Sequence, residues 1–475
     1  MNNLSFLLPE ILVVILGFGV LTIDFFIPKN KKWSLPYIAI LALTGIFIFN
    51  LIFLWGKSDE LYGGILRIDG YSLFFKSAFL ILGAALIASS VDYVNKNLSN
   101  PGEYYAILIF TVLAMMLLSS SGELLTAYIA VETLSFGLYV LVAFDRYNIK
   151  SNEAGTKYII LGALSSAILL FGISQIYGLL GTTQFNEMAE VLRSNNSINP
   201  GLLLGFLFLI AGLGFKVASV PFHMWAPDVY EGSPTSVTLF FAVVPKVAAL
   251  TVFIRFLYVP FISLIDQWQS IIIFLSLASM IFGAVAAIGQ KNLKRLIAYS
   301  SIGHMGYALA GLSVGTNSGI QNSIIYLCIY LVMNLGVFCC LFAFKRKDKF
   351  YDNLDDLSGL SKNHPVISLS LLILLFSLAG IPPMAGFFAK FYIFTAVIEQ
   401  SMYFLAIVGL LSAVISAFYY LRIIKIIYFD PEKEIYEKNH NIGLKLTLIL
   451  STIFIIAYFI YPSGLTEIVS KINII

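Results

Sequence analysis

The sequence places two lysines, Lys216 and Lys246, inside apolar runs that are long enough to cross a membrane. A charged side chain there costs about 2.5–3.5 kcal/mol on insertion scales, so it indicates a function by default. Glu132 lies within another apolar run and is the candidate partner of Lys216. An opposite charge nearby favours the charged form of a lysine, and its loss lets burial favour the neutral form. The pattern therefore predicts a site that binds and releases protons.

Three further titratable side chains lie in or beside apolar runs. Lys390 follows a Pro-Pro pair and repeats the sequence pattern around Lys216, whereas Lys157 lies near the start of its run. His304 follows two serines, and the unperturbed pKa of histidine, about 6.5, suits proton transfer near neutral pH. Structural roles stay open for these residues: a stabilising ion pair, a lysine that reaches the membrane surface, or a histidine satisfied by nearby hydroxyl groups.

The composition is typical of a membrane protein. Hydrophobic residues occupy 59% of the 475 positions and charged residues only 12%, against roughly 25% charged residues in soluble domains. The small net charge of +3, with the basic residues in loops, argues against nucleic-acid binding. Cys328, Cys339 and Cys340 lack the spacing of a metal or cluster site, and the sequence has no dinucleotide or Walker fingerprint. Energy for transport would therefore come from a partner or an ion gradient.

The apolar runs predict an all-α polytopic fold. A span needs about 20 mainly apolar residues, which gives about fourteen spans joined by short polar loops. Their predicted limits are 5–26, 35–55, 73–93, 104–121, 123–144, 155–180, 201–222, 234–258, 269–290, 296–314, 320–344, 366–396, 402–428 and 443–461. We number these spans 1 to 14 in chain order.

A sequence pattern that occurs twice in the chain, here called the sequence echo, indicates inverted repeats. The string AGLGFKVASVP in span 7 resembles AGIPPMAGFFAK in span 12. The two copies lie an odd number of spans apart, so they would face opposite sides of the membrane. Glycine- and proline-interrupted spans at matching positions of such repeats point to a transport site. We therefore expect spans 7 and 12 to be broken, with their freed backbone groups satisfied by protein or water.

The basic residues of the loops lie mostly on one side of the membrane. That side carries Lys29, Lys31, Lys32, Lys96, Arg146, Lys150, Lys291, Lys294, Arg295, Lys345, Arg346, Lys347, Lys349, Lys362, Lys433 and Lys438. The other side carries only Lys57, Arg67, Arg193 and Lys471. Because loops rich in lysine and arginine stay in the cytoplasm, the sequence predicts both termini on the non-cytoplasmic side.

Three motifs resemble those of a known family. GFKVASVPFHMWAPDVYEGSPTSV followed by VVPKVAAL, then QKNLKRLIAYSSIGHMGYALAG and GIPPMAGFFAKFYIF, are similar to signatures of the antiporter-like proton-translocating subunits of respiratory complex I, NADH:quinone oxidoreductase. The resemblance covers essentially the whole chain. Within the family it resembles the N-type subunits, because Lys246 and Lys390 stand where other types carry histidine or glutamate.

The resemblance implies proton transfer through Glu132, Lys216, Lys246, His304, Lys390 and Lys157. Glu132 and Lys216 would be the pair of spans 5 and 7, Lys246 the connecting lysine of span 8, and Lys390 the lysine facing the outer exit. The resemblance also implies two inverted five-helix repeats, spans 4–8 and 9–13, with broken helices 7 and 12. The chain would then divide into residues 1–103 with spans 1–3, 104–258, 259–428, and 429–475 with span 14.

The resemblance further implies a multi-pass translocase subunit of the bacterial inner (plasma) membrane, in a respiratory electron-transport chain. NADH, FMN, iron–sulfur clusters and quinone would belong to partner subunits, and this chain would hold no cofactor or metal. Expected partners are lipid and the M-type, L-type, K-type and J-type subunits. Alternative interpretations are a subunit of a multi-subunit Na⁺/H⁺ antiporter or membrane-bound hydrogenase, and a non-pumping membrane scaffold.

The predicted topology can be tested with an introduced cysteine. Asn353→Cys, in the loop between spans 11 and 12, should react with a membrane-impermeant thiol reagent only from the cytoplasmic side. A matched Lys57→Cys variant, in the loop between spans 2 and 3, should react only from outside intact cells. Labelling of both variants from the same side would show that the number of spans between them is wrong by an odd number.

Overall fold

The computed structural model describes residues 3–194, 199–343, 345–346, 349–350, 352–432 and 441–472. Spans 1 to 7 are formed by Leu8–Phe26, Leu35–Phe49, Gly70–Asn97, Pro101–Ser120, Leu124–Val142, Ile149–Leu180 and Pro200–Val217. Spans 8 to 14 are formed by Thr235–Val243 with Pro245–Tyr258, Ile265–Ile288, Leu293–Ser313, Asn317–Ala343, Pro365–Ala379 with Ala385–Glu399, Tyr403–Phe429 and Ile442–Ile460. Lys347, Lys433 and Lys438 lie outside the described residues.

Shorter elements connect the spans. A turn of π-helix, Asn50–Leu54, extends span 2, and the antiparallel strands Asp59–Leu61 and Leu66–Ile68 follow it. A second short hairpin pairs Lys345–Arg346 with Lys349–Phe350. The remaining short helices are Asn3–Phe6, Lys29–Ser34, Phe185–Ser194, Trp225–Gly232, Ile262–Leu264, Leu354–Leu357, Leu360–Asn363 and Ser463–Ser470.

The all-helical fold and its spans agree with the prediction. In the part of the chain that the structure describes, twelve helices are long and apolar enough to cross a membrane. Two more segments bring the total to fourteen. Leu293–Ser313 is less apolar because serines, glycines and His304 interrupt it, and span 12 is divided into two half-helices of 15 residues each.

Spans 7 and 12 are broken, as the prolines predicted. The helix of span 7 ends at Val217 and is capped by Ala218, a left-handed residue with φ of 58°, and the short helix Trp225–Gly232 follows the break. The first half of span 12 ends at Ala379 and is capped by Gly380, with φ of 85°. The helix of span 8 is also interrupted, where Pro245 begins a new helix because proline cannot donate the backbone hydrogen bond that would continue the old one.

The position of the two lysines relative to the breaks corrects one expectation. Lys216 lies in the last turn before the break of span 7, whereas Lys390 lies after the break of span 12. The sequence echo matched the Ala-Gly pairs of the two spans. In span 12 this pair stands at the break itself, and in span 7 it precedes the break. Lys390 therefore does not repeat the position of Lys216.

The core of the fold lies around spans 8, 10 and 11. The most apolar stretch of Thr235–Tyr258 is 100% buried, whereas that of Leu8–Phe26 is only 28% buried. Large apolar side chains such as Phe25, Leu41 and Val414 are exposed on the outer spans. This apolar exterior is the surface that lipid or neighbouring membrane proteins would cover.

Arg255, near the end of span 8, binds residues at the start of span 3. Its guanidinium makes two hydrogen bonds to Asp69, of 3.0 and 2.7 Å, and a third to the carbonyl of Ser119 at 3.0 Å. It also lies 4.8 Å from the ring centroid of Tyr71. Burial acts to raise the pKa of Asp69, but Arg255 and the backbone amide of Ser72 outweigh it and hold this pKa below its usual value.

A second ion pair lies between spans 1 and 3. Lys76 Nζ is 2.6 Å from Glu10 Oε1, and the two side chains are 1% and 6% exposed. The two residues lie on different spans, and no pattern in the sequence pairs them. A direct pair of this kind satisfies two charges that would otherwise be unpaired in the membrane.

We predict that the Arg255–Asp69 pair stabilises the fold. Arg255→Met should leave Asp69 with only its longer contact to Arg67, at 3.4 Å. This loss should cost up to about 3–5 kcal/mol and should lower the temperature at which the detergent-solubilised protein loses monodispersity. Arg255→Lys should not restore stability, because lysine lacks the planar fork that binds both carboxylate oxygens. Because the pKa of Asp69 is lowered, its contribution should be complete above about pH 4 and disappear as the pH falls through the folded-state value.

Arg67→Met is the matched control, because Arg67 also approaches Asp69 but at 3.4 Å and with a side chain 35% exposed. Loss of this exposed contact should change stability by less than about 1 kcal/mol. Equal losses of stability in Arg255→Met and Arg67→Met would contradict the prediction that Arg255 is the stabilising partner of Asp69.

Candidate functional site

Glu132 and Lys216 meet between spans 5 and 7. Lys216 Nζ lies 3.5 Å from Glu132 Oε1, and the side chains are 8% and 16% exposed. The ammonium also donates hydrogen bonds to the hydroxyls of Ser135, at 2.7 Å, and Ser166, at 3.2 Å. Ser166 in turn donates to Glu132 Oε1 at 2.5 Å. The lysine is therefore held by one carboxylate and two hydroxyls, and one of these hydroxyls also contacts the carboxylate.

The break in span 7 helps to place this ammonium. Lys216 belongs to the last turn of the helix Pro200–Val217, where the partial negative charge of a helix C-terminus favours a cation. Ser135 lies one turn after Glu132 on span 5, and Ser166 comes from span 6. Three spans thus supply the groups around one charge.

A small cavity connects the surroundings of Lys216 and Lys246. It has a volume of about 20 Å³, and both lysines line it together with Ser135, Tyr158 and Trp225. A cavity needs roughly 10–15 Å³ to hold a water molecule that has polar partners. The space therefore suits one water molecule between the two ammonium groups.

Lys246 lies at the start of the second helix of span 8 and is 1% exposed. Its ammonium donates a hydrogen bond to the hydroxyl of Ser301 at 2.6 Å. It also lies 5.0 Å from the ring centroid of Tyr230 and 6.0 Å from that of Trp225, within the range of cation–π attraction. Among the residues that the structure describes, no carboxylate forms an ion pair with it.

Span 10 carries polar groups from Lys246 toward Lys390. Ser301, which contacts Lys246, is followed one turn later by His304 and another turn later by Tyr307. The imidazole of His304 is hydrogen-bonded through Nδ1 to the hydroxyl of Tyr326, at 2.5 Å, and through Nε2 to that of Tyr420, at 3.0 Å. Both lysine charges are near enough to act on His304 electrostatically.

Lys390 is held by the end of a helix, and no carboxylate in the described part of the chain forms an ion pair with it. Its ammonium donates to the carbonyls of Leu378, at 3.1 Å, and Ala379, at 3.0 Å, and it lies 5.1 Å from the ring centroid of Tyr307. These carbonyls belong to the last turn of the first half of span 12. The break in the span thus provides the acceptors for the charge.

Lys157 lies apart from this buried series. Its side chain is 45% exposed and forms ion pairs with Glu153, at 2.8 Å, and with Asp228, at 3.1 Å. Arg295 also binds Asp228, at 2.6 Å, and these groups border an open basin of about 200 Å³. Partial burial acts to raise the pKa of Asp228, but Arg295 and Lys157 outweigh it and hold this pKa below its usual value.

The sequence predicted the charged residues of the site better than their hydroxyl partners. Ser166, Tyr326 and Tyr420 come from spans other than those of the charges they contact, and nothing in their local sequence marks them. Ser301 was visible as one of the two serines before His304, but its contact with Lys246 of another span was not. Ser135 could have been found, because it follows Glu132 by one turn. Within the described ranges, no group of three or more His, Cys, Asp or Glu residues could hold a metal ion.

Comparison with known proteins identifies the family. A family profile described as "NADH:quinone oxidoreductase/Mrp antiporter, TM" matches residues 121–416. The chain is 58% identical to NADH-quinone oxidoreductase subunit N of Pelagibacter ubique, over 100% of both chains. It is 45% identical to the subunit N of Parvibaculum lavamentivorans, over 96% of this chain and 94% of that one.

A solved structure has the same fold. A chain of respiratory complex I from Thermus thermophilus, solved with bound aureothin, superposes with a TM-score of 0.84 and is 28% identical, covering 98% of this chain and 100% of that one. Together with the full-length match to subunit N, this places the described spans and their buried charges in a known architecture. The chain belongs to the NADH:quinone oxidoreductase/Mrp antiporter membrane-subunit family, with the N subunits of NADH:quinone oxidoreductase.

Proposed function

We propose that this chain translocates protons in the membrane arm of an NADH:quinone oxidoreductase by transfers between buried titratable side chains. The observation that carries this proposal is the series of buried polar groups between Glu132 and Lys390. A water-sized cavity lies beside Lys216 and Lys246, Lys246 contacts Ser301, and His304 and Tyr307 follow Ser301 on span 10 toward Lys390. Titratable side chains and hydroxyls in such a series suit the transfer of a proton in short steps.

Lys216 is the proposed first carrier, and Glu132 sets its charge. When the carboxylate is near, it stabilises the ammonium, and when the carboxylate moves or is neutralised, burial favours the amine. The ion-pair distance of 3.5 Å, with Ser166 in contact with both groups, leaves the pair open to rearrangement. A proton released from Lys216 would pass through the cavity to Lys246.

Lys246, His304 and Lys390 are the proposed second part of the path. Ser301 receives the hydrogen bond of Lys246 and is joined to His304 by one turn of span 10. His304 lies in electrostatic range of both lysines and can hold a proton on either ring nitrogen. Lys390 lies in the outer half of span 12 in the predicted topology, so it is the proposed donor to the exit.

Lys157 is the proposed uptake residue. It lies in the charged basin with Asp228 and Arg295, at the side of the membrane where the loops are basic. Exposed carboxylates and lysines that change their ion-pair partners can transfer protons between water and the interior of the protein. This role is separate from the buried series, because the structure places Lys157 at the surface.

The energy source is proposed to lie in partner subunits. NADH, FMN, iron–sulfur clusters and quinone would be bound there, and the M-type, L-type, K-type and J-type subunits and lipid would surround this chain. The Glu132 side chain is 16% exposed and lies one helical turn from the exposed Phe136, on the same face of span 5. A carboxylate facing lipid is costly, which supports a partner subunit over this face.

The location and orientation follow from the loops. We propose a bacterial inner-membrane protein with both termini on the non-cytoplasmic side. We also propose the division into residues 1–103, 104–258, 259–428 and 429–475, because each of the two central segments contains one broken span with its lysine. The full-length likeness to subunit N favours complex I over an antiporter or hydrogenase assembly.

We predict that Glu132 and Lys216 are needed for pumping even when the complex assembles. Lys216→Met removes the carrier, so proton pumping and quinone reduction, normalised to assembled complex, should fall at least tenfold. Lys216→Arg should also abolish pumping, because arginine stays protonated at every pH up to about 12 and cannot release a proton near neutral pH. Glu132→Gln combined with Lys216→Met should restore assembly by removing both buried charges, without restoring pumping.

The Glu10–Lys76 pair provides the matched control for this experiment. Its side chains are 1% and 6% exposed, so it is more deeply buried than the Glu132–Lys216 pair, and it lies outside the proposed path. Glu10→Gln combined with Lys76→Met should assemble and pump at close to the normal rate, because replacing both members of a buried pair is often neutral. Normal pumping by the assembled Glu132→Gln/Lys216→Met variant would instead favour the scaffold interpretation.

We also predict that the chain alone is inactive. Reconstituted into liposomes without its partners, it should neither oxidise NADH nor show driven proton uptake, since its sequence carries no fingerprint for an energy source. The intact complex in the same lipid serves as the positive control. NADH-driven acidification by liposomes that contain only this chain would overturn the proposed dependence on partners.

A further inference from the structure

The two half-helices of span 12 cap each other across their break. On the first half, the Ser377 hydroxyl accepts a hydrogen bond from the backbone N–H of Gly386, in the first turn of the second half, at 2.9 Å. On the second half, Lys390 donates to the carbonyls of Leu378 and Ala379, in the last turn of the first half. Each half therefore satisfies backbone groups that end the other.

These contacts matter because helix ends leave backbone groups without partners. Within a membrane, water does not generally satisfy such groups, and protein must do so. At the C-terminal end of the first half, the partner is a charged ammonium, whose attraction is strengthened by the partial negative charge of the helix end. The apposition of the two halves thus depends on the charge of Lys390.

The backbones of the two halves also lie very close together. A side-chain carbon at Gly386 would collide with the carbonyl oxygen of Ser377. One at Gly380 would lie 3.2 Å from the ammonium of Lys390, and Gly380 has a positive φ of 85°. The absence of side chains at these two glycines leaves the room that the mutual capping requires.

At the break in span 7, the carbonyls that end the helix are capped without a lysine. The carbonyl of Phe215 accepts from the indole N–H of Trp225 at 2.9 Å, and the carbonyl of Gly214 accepts from the Ser219 hydroxyl at 3.1 Å. Lys216 lies before this break and bonds to other spans. The first break therefore stays closed whether or not a lysine is protonated, and the second does not.

We propose that Lys390 and Ser377 form a proton-dependent latch between the halves of span 12. With the ammonium present, the latch is closed. When the proton passes from Nζ to a water molecule, the neutral amine binds the two carbonyls less strongly, and the halves separate enough for water to reach the break. Tyr307 and, one turn before it, His304 face this region from span 10. The proposal rests on the proposed role of Lys390 as a proton carrier.

The latch predicts the chemical accessibility of the break, which can be measured without pumping. Ala385, the first residue of the second half, is fully buried. In the assembled complex, with Cys328, Cys339 and Cys340 replaced by alanine, Ala385→Cys should react slowly with a small water-soluble thiol reagent. Adding Lys390→Met should speed labelling of this chain about tenfold, since the charged hydrogen bonds are worth at least that factor.

Three further variants separate the latch from general loosening. Lys390→Arg keeps a permanent charge, so labelling should stay slow although pumping is lost. Ser377→Ala removes the other cap and should give an intermediate rate. Ala218→Cys, at the equally buried first break, is the matched control and should react at the same rate with or without Lys390→Met. If Ala385→Cys fails to assemble, Met384→Cys, at the same break, replaces it.

Equal labelling rates at Ala385→Cys with the native lysine, with Lys390→Met and with Lys390→Arg would overturn the latch. So would a parallel rise at Ala218→Cys, which would show that the whole chain had loosened. The pumping assay tests the carrier role separately. If Lys390→Met still pumps normally but exposes Ala385→Cys, the latch stands and the proposed carrier role of Lys390 fails.

Discussion

A positive charge inside an apolar membrane must be met by groups of the protein, because bulk water is not there to solvate it. The three lysines of the proposed proton path meet this requirement in three ways. Lys216 faces a carboxylate and two hydroxyls, Lys246 faces one hydroxyl and two aromatic rings, and Lys390 faces two backbone carbonyls. A full charge, neutral dipoles and a helix end stabilise an ammonium to different degrees. The three sites therefore differ in how strongly they hold a proton, which a directional path requires.

The broken spans make these environments possible. Carbonyls inside a helix already accept a backbone hydrogen bond, whereas the last carbonyls of a helix have no such partner and are free to accept from a side chain. Span 12 offers two such carbonyls to Lys390, and span 7 ends directly after Lys216. Span 10 is unbroken by contrast, and its Ser301 and His304 connect the two regions through side chains alone.

The sequence predicted the spans, the two proline breaks and the meeting of Glu132 with Lys216, because each leaves a local signal in an otherwise apolar run. It did not predict the hydroxyl partners Ser166 and Tyr420, since their contacts join spans far apart in the chain. Proximity between spans depends on packing, which hydropathy does not encode. The mismatch between Lys216 and Lys390 had another cause, because a short Ala-Gly echo cannot reveal on which side of a break a residue lies.

The ion pairs that stabilise the fold have shorter contact distances than the pair on the proposed proton path. Arg255 binds Asp69 through two hydrogen bonds of 3.0 Å or less, and Lys76 Nζ lies 2.6 Å from Glu10 Oε1. Such direct pairs leave little room for a competing acceptor. Lys216 stands 3.5 Å from its carboxylate, shares a serine hydroxyl with it and borders a water-sized cavity. A pair that must exchange a proton has to be weaker than one that only holds helices together, and this looser geometry provides that difference.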